Sequence, residues 1–356
     1  MMMKSLPWLA WLCVVLVSSV NAVAAPSQNR TPFRVGVLYW SMNIPGQVAM
    51  RAGLEAEARQ INIDAQLLGQ RPVELLPFVA GDGAAGIEQQ IAQMSRLVHD
   101  RVDLIIVQPT DNAALAKPLM AANRAGIPVV AYDQYISGGK LVSYITSDNY
   151  QAGFLDGEYV AARFPDSTTL RVILVEYPHV SSTVERVNGF LDALKAAGQA
   201  YEISKTYIAV EPVSGRAAGK AILSDFPEAG SVDVVFTVND GGGLAVVSEL
   251  EQAGRNEIFV ATIDGDPRSV QAVRHGGITR VDTAQFCGPM GAQAMRIAYR
   301  VLNDMAVPGQ VLMPVFPVTA ETMKYFTSWH GPVPAPFDKP WSSSKPIWNG
   351  ELKLND

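Results

Sequence analysis

The sequence predicts an α/β protein made of two lobes, each a doubly wound parallel sheet. Two observations carry that expectation. Short runs such as VDLIIVQP and VDVVFTVND are apolar on both alternating faces, as strands of a parallel sheet covered by helices must be. These runs alternate with segments of helical period, and about halfway along the chain the alternation starts afresh.

The first series opens with the strand FRVGVLYW and the amphipathic helix GQVAMRAGLEAEARQI. VELLPFV, the helix IEQQIAQMSRLVHD, VDLIIVQP, the helix NAALAKPLMAANRAG and the strand IPVVAYD complete it. The second series runs LRVILVEY, helix STVERVNGFLDALKAAG, YEISKTYIA, helix GRAAGKAILSDF, VDVVFTVND, helix GGLAVVSELEQAG, IFVATID and helix RSVQAVRHG. GITRVDTAQ adds a late strand and GAQAMRIAYRVLND a late helix. The repeat is one of architecture, because no residue-level repeat accompanies it.

The N-terminus points to export. Lys4 precedes an apolar run, Leu6 to Val20, and Ala22-Val23-Ala24 supplies the small-x-small pattern of a cleavage site. Residues 1–24 are therefore expected to be a cleaved signal peptide, too short in its apolar part for a membrane span. Leu12 is too bulky to precede a lipidated cysteine, which argues against Cys13 as an anchor. Cys287 is then the single cysteine of the mature chain, so the fold rests on its apolar core without an internal disulfide. With 48% hydrophobic residues that core is large enough for two domains. A net charge of −6 without any basic run argues against nucleic acid, whose phosphates require clustered Lys and Arg.

Several local patterns resemble catalytic or cofactor motifs. Gly81-Asp82-Gly83-Ala84-Ala85-Gly86 matches G-x-G-x-x-G, with Asp103 at a distance suited to a ribose hydroxyl. It follows the second strand rather than the first, so a glycine-rich helix start is the better reading. His99, His179, His275 and His330 lack metal-ligand spacing, and Cys287 lacks a local histidine. Asp264-Gly265-Asp266 offers too few oxygens for calcium. The chain therefore reads as a binding protein rather than an enzyme, without cofactor or metal.

Ligands of doubly wound sheets sit beyond the carboxyl ends of the strands. Collected there are Tyr39, Trp40 and Asn43 after the first strand, and Asp133 and Gln134 after the fourth. In the second series stand Tyr177, Arg186 on the early turns of a helix, Asn239, Asp264 and Gln285. Planar forks of donors and acceptors converging from both sides suit a ring of hydroxyls, and aromatic rings suit its C–H faces. Asp or Asn at a strand end also caps turns and helices, so recurrence across both series is the argument rather than any one residue.

At these residues the chain resembles the ribose-binding type of periplasmic sugar-binding protein, whose lobes also occur in LacI-type repressors. SMNIPG, IIVQPTDNAAL, AANRAGIPVVAYDQ, ITSDNYQAGFLDGEYVA, VERVNGF, VVFTVNDGGGLAVVSEL, VATIDGDP and TAQFCGPMG carry the resemblance, in this order, from about Phe33 to about Lys324. The resemblance implies a type 1 periplasmic binding protein fold, two parallel-sheet lobes joined by a three-strand hinge. Crossovers would fall near Ser147 and Asp148, near Gln285 and near Met313. One lobe would then comprise residues 33–147 and 286–313, and the other residues 148–285 and 314–328. Sugar-binding groups carried over by position fall on Asn43, Asp133, Arg186, Asn239, Asp264 and Gln285. The family's adjacent aromatics are replaced by Gly46 and Gln47, an arginine by Gln134, and a further aromatic by Val210, so the ligand need not be ribose. The expectation is a monomeric periplasmic receptor for a sugar or polyol. Its partner would be the permease of an ABC transporter or, alternatively, a membrane sensor kinase or chemoreceptor. The signal peptide and the lack of a helix-turn-helix before Phe33 set the repressor role aside.

Residues 329–356 change character, being rich in Pro and Ser with Trp329, Trp341 and Trp348. An extended strap over the lobes, anchored by its tryptophans, is expected in preference to a docking segment for a membrane partner.

Overall fold

The computed structural model describes residues 30–342 and 346–355. The expected signal peptide, with Cys13, lies outside them. Strand β1 (Phe33–Tyr39) is followed by helix α1 (Pro45–Leu68), β2 (Val73–Val79), α2 (Gly83–His99), β3 (Leu104–Val107), α3 (Ala116–Arg124), β4 (Val129–Tyr132) and β5 (Ser143–Ser147). All of β3 and β4 is buried, as their two-sided apolar sequence requires. α4 (Asn149–Ala161) begins the second series: β6 (Leu170–Glu176), α5 (Ser181–Ala196), β7 (Tyr201–Ile208), α6 (Pro212–Asp225), β8 (Val234–Thr237), α7 (Asp240–Gln252), β9 (Phe259–Asp264), α8 (Pro267–Arg274) and β10 (Thr279–Gln285). α9 (Cys287–Leu302), β11 (Gln310–Met313) and β12 (Val315–Val318) come next.

Two sheets result. The first has the order β15-β11-β5-β4-β3-β1-β2, where β15 is Lys353–Asn355, and the second has β12-β10-β9-β8-β6-β7. Both are parallel except at one edge, where β15 runs antiparallel to β11 and β12 antiparallel to β10. Up to β12 the chain passes between these sheets three times. β5 leads into α4, whose residues join the core of the second lobe. β10 leads into α9, which packs in the core of the first. β11 pairs with β5 in the first sheet and β12 with β10 in the second, with Pro314 alone between them.

One helix contact fixes the position of Arg186. A Cβ at Gly153 on α4 would lie 1.9 Å from the carbonyl oxygen of Arg186 on α5, and one at Gly189 would lie 2.0 Å from that of Tyr150. Glycine at both positions lets the two backbones touch, which sets the depth at which Arg186 stands. Among the described residues no helix is long and apolar enough to cross a membrane.

The tail crosses both lobes. Trp329 is buried in the core of the first lobe. β13 (Phe337–Asp338) and β14 (Ile347–Trp348) pair antiparallel, and Phe337 and Trp348 enter the core of the second. Trp341 meets Tyr159 edge-on, with ring centroids 5.0 Å apart. The Trp348 indole N–H donates to the carbonyl of Val315 at 2.9 Å, and Lys353 reaches Asp148 at 2.6 Å. The tail thus carries short strands where uniformly extended, irregular chain was expected, because exposed strand edges accept partners. Trp348→Ala should cost about 3–5 kcal/mol of unfolding free energy. Urea denaturation would read this, and an unchanged midpoint would show that the strap lies loosely on the lobes.

Candidate functional site

The carboxyl ends of both sheets face one another. Trp40 extends from β1, Asp133 and Gln134 from β4, Asn239 from β8, Asp264 from β9 and Gln285 from β10, while the first turns of α5 supply Ser182, Thr183 and Arg186. They surround a cavity of about 20 Å³. That is room for a water rather than a sugar ring, so the lobes stand closed and a larger guest needs the hinge to open.

Direct bonds hold the closure. The Ser182 hydroxyl donates to Gln134 Oε1 at 2.8 Å, the Ser181 N–H to Asn112 Oδ1 at 3.3 Å, and the Asn112 N–H to the His179 carbonyl at 3.1 Å. Trp40, Val180 and Val210 pack together across the mouth.

The polar ring is pre-wired. Arg186 donates through Nε to Asn149 Oδ1 at 2.9 Å, and through Nη1 to the Val238 carbonyl at 2.8 Å and Asp264 Oδ1 at 3.2 Å. Gln285 Nε2 donates to the same Asp264 oxygen at 2.6 Å, and Gln108 Nε2 to Asp133 Oδ2 at 2.9 Å. Gln285 Oε1 is buried without a protein partner, an acceptor available to a ligand hydroxyl. Asn239 Nδ2 donates to the Val210 carbonyl at 2.9 Å while its Oδ1 caps α7, so the cap and the lining are one residue. Both ring carboxylates sit at positive φ, 65° for Asp133 and 143° for Asp264. Non-glycine residues in that region carry strain, which gathers at binding sites. Burial raises the Asp133 carboxyl above its ordinary value, opposed by the hydrogen bond from Gln108. Burial also raises Asp264 to about 6, opposed by the Arg186 guanidinium.

Three expected residues do not line the cavity. Tyr39, the last residue of β1, points into the core, where its hydroxyl donates to Glu55 at 3.3 Å and Arg51 covers its ring. Asn43 turns outward and donates to Asp82 Oδ2 at 2.7 Å. Tyr177 lies outside Trp40, with ring centroids 6.1 Å apart. Residues missed as contacts are Ser182 and Thr183, together with the apolar Ile44, Met50 and Val180, while Gly46, Gln47 and Val210, expected only as positions without the family's aromatics, also line the cavity. Gln47 and the Ser182-Thr183 pair sit on the first turns of helices that follow strands, the signal already used for Arg186.

The decoy patterns have structural explanations. A Cβ at Gly86 would lie 2.1 Å from the Gly81 carbonyl oxygen, so that glycine serves a tight turn at the start of α2. Gly265 donates its N–H to Asp282, and Asp266 caps α8. Cys287 is fully buried, and burial pushes its thiol up. No group of three or more His, Cys, Asp or Glu among the described residues is placed to hold a metal ion.

A family model for the periplasmic binding protein domain matches residues 35–305. Ribose import binding protein RbsB of Escherichia coli is 26% identical over 293 residues, covering 82% of this chain and 93% of its own. Two solved structures share the fold. The Caulobacter myo-inositol binding protein bound to myo-inositol has a TM-score of 0.71 and 24% identity, covering 83% of this chain and 97% of its own. An ABC transporter periplasmic solute binding protein from Actinobacillus succinogenes with bound D-allose has a TM-score of 0.69 and 23% identity, covering 83% of this chain and all of its own.

The raised Asp264 has a consequence for stability. Its pKa is about 6 in the fold against 3.8 ordinarily, so between these values the folded state holds the proton better than the unfolded chain. Its contribution is fully present below 3.8 and is lost as pH rises through about 6. A carbon-13 NMR titration of Asp264 in the ligand-free protein should show a midpoint near 6. In Arg186→Met, provided it folds, the midpoint should move higher. A wild-type midpoint near the ordinary carboxylate value would mean that the group is solvated and the cleft open.

Proposed function

The chain belongs to the periplasmic binding protein domain family, and on that premise we propose that it is a periplasmic solute receptor that closes on a sugar or polyol and delivers it to an ABC-type importer. The observation that carries the reading is the convergence of Asp133 and Gln134 from one lobe with Arg186, Asn239, Asp264 and Gln285 from the other around one cavity. Carboxylates accept from hydroxyls, the guanidinium and amides donate, and no reacting group is required. A ligand that meets both sets at once stabilises the closed form, since contacts with both lobes exist only there. The lobe boundaries at the three crossings and export by residues 1–24 belong to the same proposal. The names of the relatives, an import binding protein and an ABC transporter component, favour delivery over signalling.

A thermal-shift screen of carbohydrates, amino acids and anions should find its stabilising ligand among the carbohydrates or polyols. A hit among amino acids or anions alone would overturn the assignment. With that ligand, Asp133→Ala and Arg186→Ala should each weaken binding by about 30-fold, near 2 kcal/mol, because buried partners are left unpaired. Calorimetry on variants whose circular dichroism matches wild type reads the loss, and unchanged affinity removes the residue from the site.

A further inference from the structure

Beside the polar ring the closed lobes form a second chamber, of about 150 Å³. Trp40 and Asp82 come from the first lobe, and Tyr177, Ile208, Val210 and Glu211 from the second. Trp40 and Val210 line this chamber and the central cavity alike, so the two spaces are neighbours divided by one indole and one small aliphatic side chain. Cavities of roughly 150 Å³ accept a benzene-sized ring.

We propose that this chamber is a second subsite and that the ligand is a small neutral glycoside, one unit in the polar ring and a second ring beside Trp40 and Tyr177. The proposal rests on the sugar-receptor reading and extends it. Trp40 and Tyr177 are tilted 36° to one another, two flat apolar faces against which the C–H side of a ring or an aryl group packs. Asp82 supplies the polar end. Its Oδ2 is taken by Asn43, while Oδ1 is buried without a partner. A buried carboxylate oxygen in that condition calls for an O–H donor, which a hydroxylated second ring carries. Asp82 and Glu211 also make the chamber electronegative, and Tyr177 reports this. Its phenol is raised by burial first, then by Asp111, Asp82 and Glu211. A phosphorylated or carboxylated substituent is therefore disfavoured. Ile208 is exposed at the outer side, so the chamber is not sealed.

The test is calorimetry on the mature protein with free D-ribose, D-allose, D-fructose and D-galactose, each against its methyl and phenyl glycosides and a disaccharide that contains it. The expected result is one glycoside or disaccharide binding at least about tenfold tighter than its parent sugar. Asp82→Asn and Tyr177→Ala should each remove most of that advantage while leaving the parent's affinity in place. If a parent sugar binds as tightly as all its glycosides, the subsite is refuted and the sugar receptor stands. An advantage that survives both variants also refutes it, because the added affinity then comes from elsewhere. If no sugar, glycoside or disaccharide of this panel binds, the subsite is refuted, and the receptor reading then stands or falls on the thermal-shift screen with its polyols.

Discussion

A buried guanidinium must be paired on every side or it unfolds the lobe that holds it. Arg186 is such a group, with only 3% of its side chain exposed. Its partners come from three places: Asn149 just past the first crossing between lobes, the Val238 carbonyl beyond β8, and Asp264 at the end of β9. The depth of Arg186 is set by the glycine contact between α4 and α5, and its charge in turn opposes the burial that raises Asp264. Helix packing, the hinge and the electrostatics of the cleft therefore meet in one residue. On the proposed receptor reading, a ligand hydroxyl entering this network would exchange hydrogen bonds with groups already held in place, which limits the ordering cost of binding.

Most of the cleft was legible in the sequence because strand ends are easy to find. A parallel strand buried on both faces is a short apolar run, and the residues just beyond its carboxyl end face the cleft. Parity at the last strand residue is a different matter. Successive side chains of a strand point to opposite faces, so Tyr39 and Trp40 cannot both face the cleft, and the sequence holds no mark of which one does. Trp40 lines the cavity and Tyr39 the core. Asn43 turns away for another reason: its partner Asp82 is 39 residues distant, across the neighbouring strand, and tertiary contact decides its direction.

The elements that the sequence hid obey the same logic. α4 carries Ala152, Gly153, Leu155, Asp156, Gly157, Tyr159 and Val160 all buried, so it presents no polar stripe and its helical period is faint. β15 is three exposed residues whose strand character comes from β11 beside it rather than from their own composition. The expectation of crossings near Ser147, Gln285 and Met313 came from likeness to a family, where periodicity alone gave two series and no hinge.

The last segment of the strap adds a link to a three-strand hinge, separate from the earlier passage between Trp329 in the first lobe's core and Phe337 in the second's. The strap's Phe337 and Trp348 are fixed in the second lobe's core, while β15 pairs with the first lobe's β11 and Lys353 holds Asp148 at the crossing itself. Any rotation that opens the cleft must therefore also lengthen or release this link. Between Trp348 and Lys353 the chain has no strand pairing, so the slack lies there, while Gly350 serves close packing against Val333 and Trp348. Beyond the slack, the anchors are unequal. Trp348 is buried and hydrogen-bonded, whereas β15 is a short exposed edge strand joined by an ion pair that is 58% exposed on its lysine side. Surface ion pairs contribute at most about 1 kcal/mol, far less than a buried tryptophan. Once the slack is used, β15 yields before Trp348 does, so the strap resists opening weakly at its end while staying bound to the second lobe throughout.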